Sequence, residues 1–138
     1  MPTEILWDRW PLVEVHGETA SKADHHAAVL EALNTALVRG GPFALVVIQP
    51  PMTHNEPLRA PRSGLVRFLR THRSEMNARC RGVAIVTDPA VLRRAAKLVK
   101  AAPLILGCPA TAVHDVATAR EWAADRLPTD PAQPGAGA

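Results

Sequence analysis

Hydrophobic and polar positions along the chain predict alternating strands and helices around one buried strand. Residues 43–49, Phe-Ala-Leu-Val-Val-Ile-Gln, form an apolar and mostly β-branched run between glycine- and proline-rich stretches at 40–42 and 50–51. A strand with one wet face would alternate polar and apolar residues, so this run predicts a strand buried on both faces. Such burial is typical of a central strand that helices cover on a mostly parallel sheet.

Two short strands are predicted before this run. Residues 5–10 and 12–16 carry strand-forming residues and are separated by Pro11, which predicts a hairpin that ends at Gly17. The hairpin should make the sheet mixed. Its edge, with Trp7 and Trp10, also makes a homodimer possible through edge pairing.

A helix is predicted between the hairpin and the central strand. Ser21 suits the N-cap and Gly40 suits the C-terminal end, so the helix should extend to about residue 39. Its buried stripe is predicted from helical spacing to comprise His26, Val29, Leu30, Leu33, Ala36 and Leu37.

The second half of the chain continues this alternation. The predicted elements are a proline-rich loop at 50–62, a helix at 63–78, a strand at 82–86, a helix starting at Asp88-Pro89, a strand at 110–114 and a helix capped by Asp115. Residues 1–127 are therefore predicted to form one α/β domain, a two-layer sandwich with a mixed sheet of about five strands and about four helices. Residues 128–138 contain no core-forming side chain and predict a disordered C-terminal tail.

Composition narrows the class of protein. At 138 residues, 47% hydrophobic and 21% charged, the chain fits one ordinary globular domain. No apolar run approaches the roughly 20 residues of a membrane span, and the first residues lack the pattern of a secretory signal, so a cytoplasmic location is expected. The high Ala, Arg and Pro usage is typical of a GC-rich bacterial genome.

The distribution of charge narrows the class of partner, and the spacing of the cysteines narrows the class of cofactor. The net charge is +3, and basic residues concentrate in 59–81 and 93–100, where they form either a solvated helix face or a surface for an acidic partner. Few aromatic residues accompany them, which argues against nucleic acid as the partner.

Cys80 and Cys108 match no metal or disulfide motif and are expected to be reduced, packed thiols. We expect no metal or other cofactor.

Four local matches resemble the STAS family, the sulfate-transporter and anti-sigma-factor-antagonist domains. Residues 11–17 resemble the family's early strand ending in Gly, and residues 43–49 resemble its central strand. The Ser-Gly-Leu at 63–65 resembles the family's helix start, and Ala119-x-x-Trp122 resembles the closing helix of the sporulation-antagonist-like branch. Together they cover nearly the whole predicted domain.

The resemblance implies a regulatory protein-interaction module. In the family, a partner kinase phosphorylates the serine at the helix start, and the loop and helix around this serine form the docking surface. The matching serine is Ser63, and the implied partner-binding positions are Arg62, Ser63, Gly64 and Arg67. A phosphate adds about −1.5 to −2 charges at a helix N-terminus, which alters what that surface binds. The alternative is that Ser63 is simply the N-cap of this helix.

Candidate acid–base residues support an alternative function. His16, Gln49, Asp88 and His114 lie at or just past predicted strand carboxyl ends, where open α/β sheets usually bind ligands. His54 and Glu56 in the predicted loop could close over this end and supply an acid or base. No motif of a known enzyme class is present. The alternative is a cofactor-independent small-molecule-binding protein or enzyme with His16, His54, Glu56 and His114 as catalytic candidates and Gln49 and Asp88 as ligand-binding candidates.

Overall fold

The computed structural model describes residues 4–18, 21–50, 63–94, 100–101, 104 and 107–127. The strands are β1 (Glu4–Leu6), β2 (Leu12–His16), β3 (Phe43–Ile48), β4 (Cys80–Val86) and β5 (Ala110–Val113). The helices are α1 (Lys22–Arg39), α2 (Ser63–Thr71), α3 (Arg73–Arg79), α4 (Pro89–Arg94) and α5 (Val116–Arg126). The predicted α/β sandwich with a mixed five-stranded sheet is confirmed. The predicted tail and residues 51–62 of the predicted loop lie outside the described residues.

The strands lie in the sheet in the order in which they occur in the chain. β1 pairs antiparallel with β2, and β2, β3, β4 and β5 pair parallel to one another. Each crossover from β2 to β5 leads to the adjacent strand on the same side of the preceding one. Right-handed crossovers of this kind place the helices between these strands on one face of the sheet. α5 follows the last strand and packs on the opposite face, against β3 and β4.

β3 is buried along its whole length because helices cover both faces of the sheet. The residues in the core beside α1, α2 and α3 are Phe43, Leu45 and Val47, and those in the core beside α5 are Ala44, Val46 and Ile48. On α5, Ala119 and Ala123 are fully buried, so the helix approaches the sheet closely. The predicted two-sided burial of this strand is confirmed.

Side-chain caps define the helix starts that the sequence predicts. Ser21 Oγ accepts a hydrogen bond from the backbone N–H of Asp24 at 3.1 Å, and Asp115 Oδ1 accepts one from the N–H of Thr118 at 2.7 Å. Each contact satisfies a first-turn N–H that has no partner within its helix.

The predicted helix at 63–78 divides into α2 and α3 at His72. The imidazole of His72 packs on the ring of Phe68, with 4.4 Å between centroids, and its Nδ1 lies 2.6 Å from Glu75 Oε1. His72 and Glu75 therefore form a partly exposed side-chain contact three positions apart. The helix is interrupted at His72, and α3 continues to the start of β4.

β1 is shorter than predicted because residues 7–11 form turns. Trp10 N–H donates to the carbonyl of Trp7 at 3.0 Å, which ends the ladder after Leu6. The two indole rings lie 6.0 Å apart, and the Arg39 guanidinium lies over both of them, at 4.8 and 5.0 Å from their centroids. Both tryptophans are half-buried in this stack. Homodimerisation through this edge stays a prediction.

The predicted buried stripe of α1 is correct at Val29, Leu33, Ala36 and Leu37, wrong at His26, and only half-buried at Leu30. His25 is buried and His26 is exposed. The imidazole of His25 fills the space beside Gly17, where a Cβ atom would lie only 2.2 Å from Nδ1. The buried residues of α1 are His25, Ala28, Val29, Ala32, Leu33, Ala36 and Leu37.

Gly82 on β4 receives the indole of Trp122 from α5. A Cβ atom at Gly82 would lie 2.7 Å from Cζ3 and 2.8 Å from Cη2 of that ring. The guanidinium of Arg126 lies over the indole, 4.3 Å from its centroid, and Arg126 Cδ would lie 3.3 Å from the same Cβ. The indole and Arg126 therefore pack together against the sheet at Gly82, which gives the Ala119-x-x-Trp122 pattern a packing role.

We expect Gly82→Ala to lower the free energy of unfolding by about 1–3 kcal/mol, because the added methyl group overpacks the Trp122 contact. Urea unfolding followed by circular dichroism measures this loss. Gly64→Ala is the matched control, since among the described residues no atom outside the helix's own backbone and the two chain neighbours lies within 4 Å of a Cβ at this position. It should leave stability unchanged or raise it by up to about 1 kcal/mol. Equal effects of the two substitutions would contradict the packing role.

Candidate functional site

Polar residues follow the carboxyl ends of four neighbouring strands at one edge of the sheet. His16 ends β2, Gln49 follows β3, Asp88 lies two residues after β4, and His114 follows β5. The residue after each of β2, β3 and β4 donates a backbone hydrogen bond to the last residue of the next strand. These bonds keep the strand ends level, so the four predicted residues lie in sequence across one edge, called here the carboxyl edge.

The residues of the carboxyl edge do not converge on one point. His16 and His114 are separated by three inter-strand spacings of about 4.8 Å, or roughly 14 Å. The His114 side chain is 63% exposed and its Nε2 lies 3.8 Å from Asp115 Oδ2. General acid–base catalysis needs both groups within hydrogen-bond reach of the reacting atoms. The two histidines are too far apart to act on one small group together.

A buried ion pair lies on the same side of the sheet as α5. The Glu14 side chain on β2 is only 2% exposed and accepts two hydrogen bonds from Arg120 of α5, at 2.6 Å from Nε and 2.8 Å from Nη2. His16 Nε2 lies 2.9 Å from Glu14 Oε1. The Glu14 carboxylate on β2 therefore contacts both Arg120 on α5 and His16 at the carboxyl edge. Neither Glu14 nor Arg120 is among the functional residues predicted from the sequence. In the sequence, Glu14 lies between Val13 and Val15, and a charged residue between two apolar strand residues could indicate a buried charge. This local pattern does not identify the partner Arg120, which lies 106 positions away.

Electrostatics keep this pair charged. Hydrogen bonds from Arg120 hold the pKa of Glu14 below its ordinary value of 4.5, although burial acts in the opposite direction. The same hydrogen bonds raise the pKa of Arg120. A carboxylate beside an imidazole can orient a catalytic base. Here Arg120 already neutralises the carboxylate, so the pair's main physical effect is to fix α5 against β2.

His25 is a buried histidine next to the carboxyl edge. Among the described residues, its Nδ1 has no hydrogen-bond partner, and the ring packs against the backbone at Gly17. Burial, with a smaller contribution from His26, lowers the pKa of His25 to about 4. His25 is therefore neutral at physiological pH. The sequence shows two adjacent histidines at a helix start, but only the space left by Gly17 decides which of them turns inward.

The start of α2 presents the other predicted site. Ser63 is its first residue, and Gly64, Arg67 and Arg70 are exposed. Leu69, in contrast, is buried in the core. Arg67 and Arg70 are three positions apart and share one helix face. Three other predicted site residues, His54, Glu56 and Arg62, lie outside the described residues.

Among the described residues, no three His, Cys, Asp or Glu side chains come together in a way that could hold a metal ion. Within the described helices, none is long and apolar enough to cross a bilayer. Comparisons with protein-family models, curated proteins and solved structures find no match. The STAS resemblance stays a prediction.

Arg120→Met should lower the free energy of unfolding by about 3 kcal/mol at neutral pH, because it leaves the Glu14 carboxylate buried without its main partner. This is the low end for buried pairs, since the Arg120 side chain is 36% exposed and water reaches it. The lowered pKa of Glu14 means that the pair stabilises the fold above pH 4.5 and that this stabilisation is lost as the pH falls through the folded-state pKa.

Urea unfolding at several pH values tests this expectation. The difference between wild type and Arg120→Met should shrink as the pH falls through the folded-state pKa of Glu14, which lies below 4.5. Adding Glu14→Gln to Arg120→Met removes the buried charge and should recover part of the loss. A difference that is below about 0.5 kcal/mol, or that does not change with pH, would contradict a buried ion pair.

The His25 imidazole should titrate in the folded protein with a midpoint near pH 4, compared with an ordinary value of 6.5. The unfolded chain then binds the proton at higher pH than the folded chain does. The free energy of unfolding should therefore fall by up to about 3 kcal/mol as the pH drops from 6.5 towards 4. NMR of the imidazole protons measures the midpoint, and His25→Phe should remove this part of the pH dependence. A midpoint near 6.5 would show that the ring is solvated.

Proposed function

We propose that this chain is a STAS-like regulatory domain that binds a protein partner through the exposed side of α2 and the residues that precede it, with Ser63 as a phosphorylation site. Two features support the proposal. The α/β order with a mixed five-stranded sheet is the one that the resemblance implies, and Ser63 is the first residue of a helix on one face of that sheet.

The exposed basic row on α2 is the observation that carries the proposal. Arg67 and Arg70 lie on the solvent side of the helix, while Phe68 and Leu69 pack towards the core. The first turn contains no acidic residue. A row of exposed arginines fits an acidic surface on a partner, because complementary charge speeds encounter and fixes orientation.

The spacing between Ser63 and Arg67 supplies a mechanism for a switch. Residues four apart on a helix lie on the same face, so a phosphate on Ser63 would add about −1.5 to −2 charges within reach of Arg67. The phosphate would then compete with an acidic partner for the same guanidinium. Phosphorylation should also favour the helix, since anions are stabilised at helix N-termini. The expected result is weaker binding of the partner.

The carboxyl edge supports the alternative enzyme function less well. His16 is held by the buried Glu14, His114 is exposed, and about 14 Å separates the two. His25 is neutral and packs on backbone. The residues of this edge are thus either engaged in structural contacts or spread along a line, which favours protein interaction over catalysis as the function.

Affinity capture with variants tests the proposal. The purified chain is immobilised, and the proteins that it retains from a lysate of the native host are quantified by mass spectrometry. Arg67→Glu with Arg70→Glu, and separately Ser63→Asp, should each reduce retention of the partner at least tenfold, which corresponds to about 1.4 kcal/mol. Arg93→Glu changes an exposed arginine on α4 and should leave retention unchanged.

Modification of Ser63 is measured in the same host. Intact mass and peptide mapping of the chain purified from these cells should locate a phosphate at Ser63, and Ser63→Ala should abolish it. Equal retention by wild type and all variants would contradict the α2 surface. An unmodified Ser63, together with Ser63→Asp binding as wild type does, would remove the switch and leave the surface to be judged by the arginine variants.

A further inference from the structure

The fold brings the two cysteines of the chain together. Cys80 is the first residue of β4, and Cys108 lies in the turn that leads into β5. Their Sγ atoms are 3.1 Å apart, and the two residues are only 3% and 4% exposed. The backbone N–H of Val83 donates to the carbonyl of Pro109 at 3.0 Å, which extends the ladder between β4 and β5 to this turn.

Contacts with α3 hold the turn against β4. Gly107 has a φ of +81°, a conformation that favours glycine, and a Cβ there would lie 3.4 Å from the carbonyl oxygen of Arg73. Asn77 Nδ2 donates to the carbonyl of Gly107 at 3.2 Å. Cys108 is thus fixed between a glycine that turns the chain and a strand ladder, with its sulfur directed at Cys80.

The geometry points to a redox modification site: Cys80 and Cys108 form a reversible intramolecular disulfide when the chain reacts with a low-molecular-weight disulfide. The fold already places the two Sγ atoms 3.1 Å apart without any covalent bond between them. The sulfurs need to approach by about 1 Å to reach bonding distance, which small side-chain rotations supply.

The reaction proceeds by two exchanges. The Cys108 thiolate attacks one sulfur of the reagent R–S–S–R, forms a mixed disulfide and releases one RS⁻. Cys80 Sγ then attacks Cys108 Sγ, closes the protein disulfide and releases the second RS⁻. The two thiol protons end on the two RSH products, so the protein loses two electrons and the reagent gains them. A hydrogen bond with Cys80 lowers the pKa of Cys108, which suits Cys108 for the first attack.

Burial should make oxidation of the two thiols slow, whereas the disulfide, once formed, should stabilise the fold. A reagent reaches the sulfurs only when the turn at 107–109 opens, so oxidation should be slower than that of an exposed thiol. The bond would close a loop of about 30 residues and restrict the unfolded chain. We expect the thermal midpoint to rise by about 10 °C, which follows from typical disulfide stabilisation in a domain of this size.

Oxidised glutathione is the probe. The full chain is incubated with it under native conditions, quenched with acid, and analysed by intact mass and peptide mapping. Since the chain contains just two cysteines, a monomer that has lost two hydrogen atoms identifies the Cys80–Cys108 bond. Dithiothreitol should reverse both the mass change and the rise in thermal midpoint.

Two variants provide the control. Cys80→Ala should accumulate a glutathione adduct at Cys108, because the resolving thiol is missing, and neither Cys80→Ala nor Cys108→Ala should gain thermal stability. If a variant does not fold, alkylation of the wild type in guanidinium after treatment still decides the question. Both thiols alkylated there, or disulfide-linked dimers instead of the closed monomer, would overturn the inference.

Discussion

Burial of β3 on both faces is the constraint on which the rest of the structure depends. Every residue of Phe43–Ile48 is buried, with alternate side chains in two separate cores. A strand of this kind needs helices on both sides and strands on both edges, and the chain supplies α1 to α3 on one face and α5 on the other. Because parallel strands then end together, polar residues collect at one edge and the helices carry the remaining exposed surface.

Much of this architecture could be predicted from the sequence, because local signals determine it. The caps at Ser21 and Asp115, the continuous apolar run of β3 and the Ala119-x-x-Trp122 pattern each depend on residues close in the chain. Contacts between distant residues were not predictable. Glu14 and Arg120 are 106 positions apart, and Cys80 and Cys108 are 28 apart, so only the folded register brings each pair together. The inward turn of His25 likewise depends on space left by Gly17.

The two candidate sites differ in whether their charged side chains are engaged in contacts within the fold or exposed to solvent. Glu14 and His16 contact each other, and Arg120 neutralises Glu14, so these charges stabilise the position of α5. The arginines on the outer side of α2 are exposed instead. This contrast, more than the resemblance itself, favours a docking surface at α2 over chemistry at the carboxyl edge.

Native-state hydrogen exchange of the β3 amides tests the two-sided burial of this strand most directly. If helices cover both faces, the amides of Ala44 to Ile48 should exchange only through global unfolding, with an opening free energy equal to the unfolding free energy from urea. That equality should persist as denaturant is added. Exchange of these amides as fast as that of the exposed turns, with an opening free energy several kcal/mol lower, would contradict the two-sided core.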